Sequence, residues 1–199
     1  MKTVFLDIET VPTSDALEEF RREHSNTEPD DQVIKRLSLS ALTGKILCIA
    51  YAIEPSVDAA LEVLFGDEPN VIQGFWRVVA DAELFVGHNI LDFDLRFIYQ
   101  RSVINRIKPS REIPFSRFRS SPVFDTMHEW TKWGRDFVKL DTLAKSLNIP
   151  SPKAEIDGSK VFEYYKAGRQ SEIYDYCKRD VETVRRIYRL MTFAPLPKD

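Results

Sequence analysis

The chain has 199 residues, 43% apolar and 30% charged, a globular balance that excludes a disordered tail, a collagen-like chain and a low-complexity array. Its net charge of −3, with an isoelectric point of about 5.7, argues against coating nucleic acid through bulk positive charge. The longest apolar run, Ile46 to Ile53, has eight residues, far short of the roughly 20 that a membrane span needs.

The first predicted element is a strand from Val4 to Glu9, with Val4, Leu6 and Ile8 on one face and Phe5, Asp7 and Glu9 on the other. It starts too early to leave room for a signal peptide. Residues 12–38 are polar and mostly acidic, with Pro12 and Pro29 as punctuation, and predict one or two short helices in an excursion. Lys45–Ile53 and Leu61–Phe65 read as a hairpin of strands with Pro55 and Ser56 between them. Asn70 is expected to cap a helix carrying Val71, Ile72, Phe75, Trp76 and Val79. Leu84–Val86 is a short strand closed by Gly87, followed by a helix over about Phe93–Gln100. A last strand is expected at Val123-Phe124, then helices around Leu140–Leu147, Val161–Ala167 and Ser171–Met191. The order predicts one α/β domain over residues 1–199 with a mixed sheet. Cys48 and Cys177 sit in apolar surroundings and read as small buried thiols, which fits a reducing cytoplasm.

Three places combine carboxylates with an unusual setting. Asp7 and Glu9, two apart on a strand, project from the same face, where repulsion and burial penalise them unless a hard cation lies between. In the last helix Ile173, Cys177, Asp180, Val184, Ile187 and Met191 follow 4-3-4-3-4 spacing, an apolar stripe with one acid set into it. Such an acid needs a partner, and Arg179 or Arg185 would serve as well as a metal. Tyr176 shares its helix face and could hold a water. The third place is Gly87-His88-Asn89-Ile90-Leu91-Asp92-Phe93-Asp94, where a strand gives way to a helix. Asp92 reads locally as an N-cap and Asp94 as a first-turn acid.

Together these segments resemble the three motifs of the DEDD superfamily of 3′–5′ exonucleases. Asp7-Ile8-Glu9-Thr10 matches the first, Asn89 with Phe93-Asp94 the second, and Tyr176-Cys177-Lys178-Arg179-Asp180 the third in its tyrosine form; the position where the histidine form carries His is Asp175. The Y-C-x-x-D wording and the run Ala154 to Lys160 are similar to a stand-alone DEDDy family related to the proofreading domain of family B DNA polymerases. The resemblance covers Thr3 to about Met191; its departure is the long excursion at 12–38. It implies an RNase H-like fold, a five-stranded mixed sheet flanked by helices. It also implies two divalent ions, Mg²⁺ or Mn²⁺. Asp7 would bridge them, Glu9 and Asp180 would complete the first site, and Asp94 would hold the second. Tyr176 would orient the attacking water. The expected activity is hydrolysis of the terminal phosphodiester at a free 3′ end, with single-stranded DNA favoured over RNA, releasing nucleoside 5′-monophosphates.

Thr10, Asn89 and Phe93 are candidate contacts to the terminal nucleotide, each also explicable as strand-end or core packing. Residues 101–119 hold six cations against Glu112, a local +5 that leaves −8 on the rest of the chain. Once a nucleic-acid substrate is expected, Arg111, Arg117 and Arg119 become candidate phosphate contacts. His88 reads as a satisfied histidine, Asp125-Thr126 as a helix cap, and Trp130, Trp133 and Phe137 as helix packing before base stacking. The rival readings are a module that binds nucleic acid or protein without cutting, and a haloacid dehalogenase-like phosphatase. The second wants an Asp where Glu9 stands.

Overall fold

The computed structural model describes residues 1–55, 60–151 and 156–195; Ser56, Ala154 and Glu155 lie outside them. Strand β1 (Thr3–Pro12) leads into helices α1 (Ser14–Glu23) and α2 (Asp31–Leu39), so the polar excursion is a helix pair. Then come β2 (Gly44–Glu54), β3 (Glu62–Phe65), α3 (Glu68–Val78), β4 (Leu84–Gly87) and α4 (Asp94–Ile104). After the basic segment follow β5 (Val123–Asp125), α5 (Thr126–Trp130), α6 (Leu140–Ser146), α7 (Val161–Lys166) and α8 (Gln170–Met191). The sheet order is β3-β2-β1-β4-β5, with β2 antiparallel to β1 and β3, while β4 and β5 continue parallel. This is the five-stranded mixed sheet that the alternation of elements predicts. No helix among the described residues is long and apolar enough to cross a membrane.

The two faces of β1 bury different partners. Val4, Leu6 and Ile8 pack with Ile72, Phe75, Leu95 and Ile98 of α3 and α4. Phe5, on the other face, packs with Cys177, Val181 and Val184 of α8. On that second face the neighbouring strand offers only small side chains, Cys48, Ala50 and Ala52, opposite Glu9, Asp7 and Phe5. Small residues there let the α8 backbone come close to the acid pair, which bulkier ones would hold away.

Two helix starts differ from expectation. Asp67, not Asn70, is the N-cap of α3, because Pro69 presets the first turn upstream of Asn70. Phe93, not Asp92, occupies the N-cap of α4. The Asp92 carboxylate is instead taken by Arg117 at 2.8 Å and by His128 at 3.0 Å.

One buried ion pair ties the α3–α4 side of the sheet together. Glu68, 8% exposed, accepts from the Ile46 backbone N–H (2.8 Å), from Arg101 Nε (2.8 Å) and Nη2 (2.6 Å), and from Asn105 Nδ2 (3.1 Å). Arg101 also donates to the Ala41 carbonyl at 2.9 Å. The first cation of the basic segment is therefore a structural clamp. Glu68→Ala leaves the Arg101 charge buried without its counterion and is expected to cost about 3–5 kcal/mol, against well under half that for the exposed Glu112→Ala. Equal denaturant midpoints for the two variants would show that the clamp carries no such load.

Candidate active site

The predicted carboxylates meet where β1 runs beyond the end of β4. Asp7 and Glu9 both point from β1 toward α8, and their oxygens and the Cys177 sulfur lie within 4.8 Å of one another. The Cys177 thiol donates to Asp7 Oδ2 at 3.3 Å. Asp180 follows Cys177 by three residues on the same helix face and is 6% exposed. Asp94 approaches from the first turn of α4, is 3% exposed, and accepts the Ile8 N–H at 3.1 Å. The β1–β2 register shifts between Glu9 and Thr10, so Leu47 is an extra residue on β2 beside the acid pair. A bulge there re-aims the side chains at the end of the strand.

The electrostatics are those of crowded, desolvated acids. Burial first, then the charges of Asp180, Asp94 and Glu9, push the Asp7 carboxyl well above its ordinary range, and the Cys177 hydrogen bond only partly opposes this. Glu9 is raised for the same leading reason, with Cys48, Asp180 and Asp94 adding to it. Burial lifts Asp94 to about 7 despite the N–H groups it accepts. Tyr176 also lies here. Burial, and then the charges of Asp180, Glu9 and Asp7, drive its phenol far above the normal value. A hard divalent cation suits this donor set, because it would replace repulsion by attraction at every one of these oxygens.

A second layer of contacts aims Asp94. The fully buried Asp125 carboxylate, 1% exposed, accepts the N–H groups of Asn89 and Leu91 at 3.0 Å each and caps α5 through Met127 (3.0 Å) and His128 (3.3 Å). Asn89 sits at φ +62°, a left-handed conformation that asparagine tolerates. Gly87 makes the sharp exit from β4 possible, since a Cβ there would stand 2.6 Å from the Ile90 side chain. His88 is a satisfied histidine, its ring nitrogens at 2.9 Å from Thr126 Oγ1 and 2.8 Å from the Val138 carbonyl.

Beside the acids opens a cavity of 540 Å³ whose wall includes Glu9, Thr10, Phe93, Lys35, Lys139 and Phe162. Thr10 and Phe93 thus face the same space as Glu9, and the α2 part of the excursion supplies one side of it. The three arginines do not share that space. Arg117 is held by Asp92, two residues before Asp94. Arg119 is exposed. Arg111 lies against the ring of Phe85, 5.5 Å from its centroid, on the sheet face covered by α3 and α4. That level of the sheet is three strand residues, about 10 Å, short of Asp7. Trp133 stacks on His128 at 4.8 Å, whereas Trp130 and Phe137 are exposed. Sequence reasoning missed the contact of Cys177 with Asp7 and the hold of Asp125 on the turn after β4, while its reading of Asp125 as a helix cap is met at the start of α5. The three-residue step from Cys177 to Asp180 was the available signal for the first.

A mixed five-stranded sheet with acids gathered on its first strand between α4 and α8 is an α/β fold with a candidate metal centre. Residues 56–193 match the family described as "Predicted 3'-5' exonuclease related to the exonuclease domain of PolB", and the chain belongs to that family. The match contains Asn89, Phe93, Asp94, Tyr176 and Asp180, and begins after Asp7 and Glu9. Among solved structures, the family B DNA polymerase from the hyperthermophilic archaeon Pyrobaculum calidifontis is similar to this chain with a TM-score of 0.68 and 18% identity. The likeness covers 97% of this chain and 24% of the polymerase, so the chain spans about a quarter of that protein's length. The shared fold is RNase H-like. No curated protein matches the chain.

The raised acid at Asp94 makes a pH prediction. A carboxyl whose folded pKa lies above its unfolded value stabilises the fold below the unfolded pKa, and that contribution is lost as pH rises through the folded one. For Asp94 the window runs from about 4 to about 7. In chelator, Asp94→Asn should therefore gain melting temperature relative to wild type as pH rises from 4.5 to 8. A constant difference across that range would show that Asp94 is not held protonated by its surroundings.

Proposed function

We propose that the chain is a DEDDy-type, metal-dependent 3′–5′ exonuclease that removes nucleoside 5′-monophosphates from a free 3′ end, with single-stranded DNA favoured. The observation that carries the reading is the gathering of half-buried Asp7 and Glu9 with buried Asp94 and Asp180, acids whose charges oppose one another's ionisation. Family membership supports the nuclease class. In this reading Asp7, Glu9, Asp94 and Asp180 would hold two Mg²⁺ or Mn²⁺ ions, with Asp7 serving both, Glu9 and Asp180 serving the first and Asp94 the second. When bound, such ions supply Lewis acidity and neutralise charge on the phosphate and the departing 3′ oxygen.

The protein's own groups do the positioning. Tyr176 keeps its proton at neutral pH, because burial and three nearby acids resist formation of a phenolate. It is therefore suited to hold the attacking water by hydrogen bonding and unsuited to act as a base. Water adds to the terminal phosphorus, the P–O3′ bond breaks, and the shortened strand keeps a 3′-hydroxyl. Phe93 and Phe162 offer aromatic faces in the adjoining cavity and Thr10 a hydroxyl, while Lys35 and Lys139 offer charge to a phosphate. Asn89 acts at the turn that sets Phe93 and Asp94.

The test is purified protein with 3′- and 5′-labelled single-stranded DNA and RNA, with Mg²⁺, with Mn²⁺ and with chelator. Release of 3′-labelled monophosphate that chelator abolishes is expected. Asp7→Ala or Asp180→Ala should lower the rate by about 10³ or more while the far-ultraviolet circular dichroism stays native. Cleavage by either variant at the wild-type rate would remove these residues from the site.

Tyr176→Phe deletes one hydroxyl and none of the carboxylates. Its rate should fall by about 10- to 100-fold with metal affinity unchanged, measured by Mn²⁺ titration. An unchanged rate would make Tyr176 a packing residue of α8.

A further inference from the structure

Away from the acids, on the sheet face covered by α3 and α4, the segment after α4 folds back and encloses a cavity of 680 Å³. Its inner wall is apolar and fully packed, with Trp76, Leu95 and Ile113. Its outer wall carries Tyr99, 49% exposed, and Phe115, whose rings meet edge to face with centroids 6.3 Å apart. Arg96, Lys108 and Arg111 line it with the acid Glu112; Asp92 pairs with Arg96 at 3.7 Å and the charge of Asp81 reaches Arg111. A neighbouring hollow of 450 Å³ shares Trp76 and Lys108 and adds Arg77.

Arg111 supplies an independent observation. Its Nε is buried and has no hydrogen-bond acceptor among the described residues. Its guanidinium rests on the ring of Phe85. A buried donor without an acceptor is costly, and native structures rarely keep one unless water or a ligand supplies the partner. The volume and the few convergent polar groups on apolar walls are those of a small-ligand site.

We propose that this cavity is a second nucleotide site, separate from the carboxylates, which takes a phosphate on Arg111 and Lys108 and a nucleobase against Tyr99 and Phe115. Planar rings favour a base, and the unmet Arg111 Nε donor beside Lys108 favours a phosphate over a neutral aromatic ligand. The nucleotide is either a free nucleoside monophosphate or one unit of a single strand. Both present the same chemistry. Helix α4 carries Asp94 at its first turn and Tyr99 five residues on, about 8 Å along the axis, so one rigid element links the two sites. The proposal needs neither bound metal nor hydrolysis and stands independently of the cleavage reading.

The experiment is calorimetric titration of the full chain in chelator with AMP, with dTMP and with a single-stranded tetranucleotide. Binding is expected, weakened about tenfold or more by Arg111→Gln and by Tyr99→Ala. Tyr99 is half exposed, so its truncation tests the site even where loss of Arg111 disturbs packing on Phe85. Arg111-dependent binding of the monophosphates assigns the site to free nucleotide, and the same dependence with the tetranucleotide alone assigns it to the strand. Absence of binding by all three probes, or equal affinity in wild type and both variants, overturns the proposal. Because no cleavage is read, failure here leaves the labelled-strand assay to judge the exonuclease by itself.

Discussion

Repulsion among acids confined between β1, α4 and α8 is the constraint around which the fold is arranged. Asp7 and Glu9 share a strand face, Asp180 opposes them from α8, and Asp94 is fastened to the Ile8 N–H. Each would ionise freely in water. Here burial and its neighbours hold each of Asp7, Glu9 and Asp94 back, so the site carries a local cost that the rest of the structure must outweigh. The small residues of β2 that let α8 approach bring Asp180 closer to the acid pair, which raises that cost and would strengthen the hold on any cation bound there.

Stability for this arrangement comes from polar anchors that are themselves satisfied. Asp125 receives four backbone N–H groups and so fixes both the turn after β4 and the start of α5. Glu68 and Arg101 answer each other on the opposite side of the sheet. The contrast with the acid cluster is physical. The oxygens of Asp125 are satisfied by four N–H groups, whereas those of Asp7 and Glu9 face other acids. The same residue type thus serves structure at 125 and proposed chemistry at 7, 94 and 180.

The strands and long helices were legible because their signals are local. Val4 to Glu9 alternates with period two, and the α8 stripe runs with helical spacing through both Cys177 and Asp180. The ordered motifs made the acid set readable as a family pattern, although their spacing does not say how the carboxylates meet. One miss was local, since Asn70 reads as a cap until its neighbour Pro69 is given priority. The others were long-range: Asp92 reads as a cap until Arg117 and His128, 25 and 36 residues later, fold onto it. The contact between Asp7 and Cys177 spans 170 residues and follows only from the closeness of α8 to β1.

The basic segment shows why charge counts mislead. Read along the chain, residues 101–119 are one positive arm. In space their cations do different work. Arg101 is desolvated against Glu68, Arg111 lies on Phe85 in the cavity beside α4, and Arg117 engages Asp92 close to the acids. A sequence reports the sign of a charge and not its desolvation, and desolvation decides whether a cation clamps a fold, lines a site or merely stays in water. The excursion shows the converse: a segment that reads as polar and mostly acidic sends Lys35 of α2 to the wall of the cavity beside Glu9. An overall net charge of −3 therefore does not oppose a nucleic-acid substrate, because the cations that matter are those the fold gathers at particular cavities.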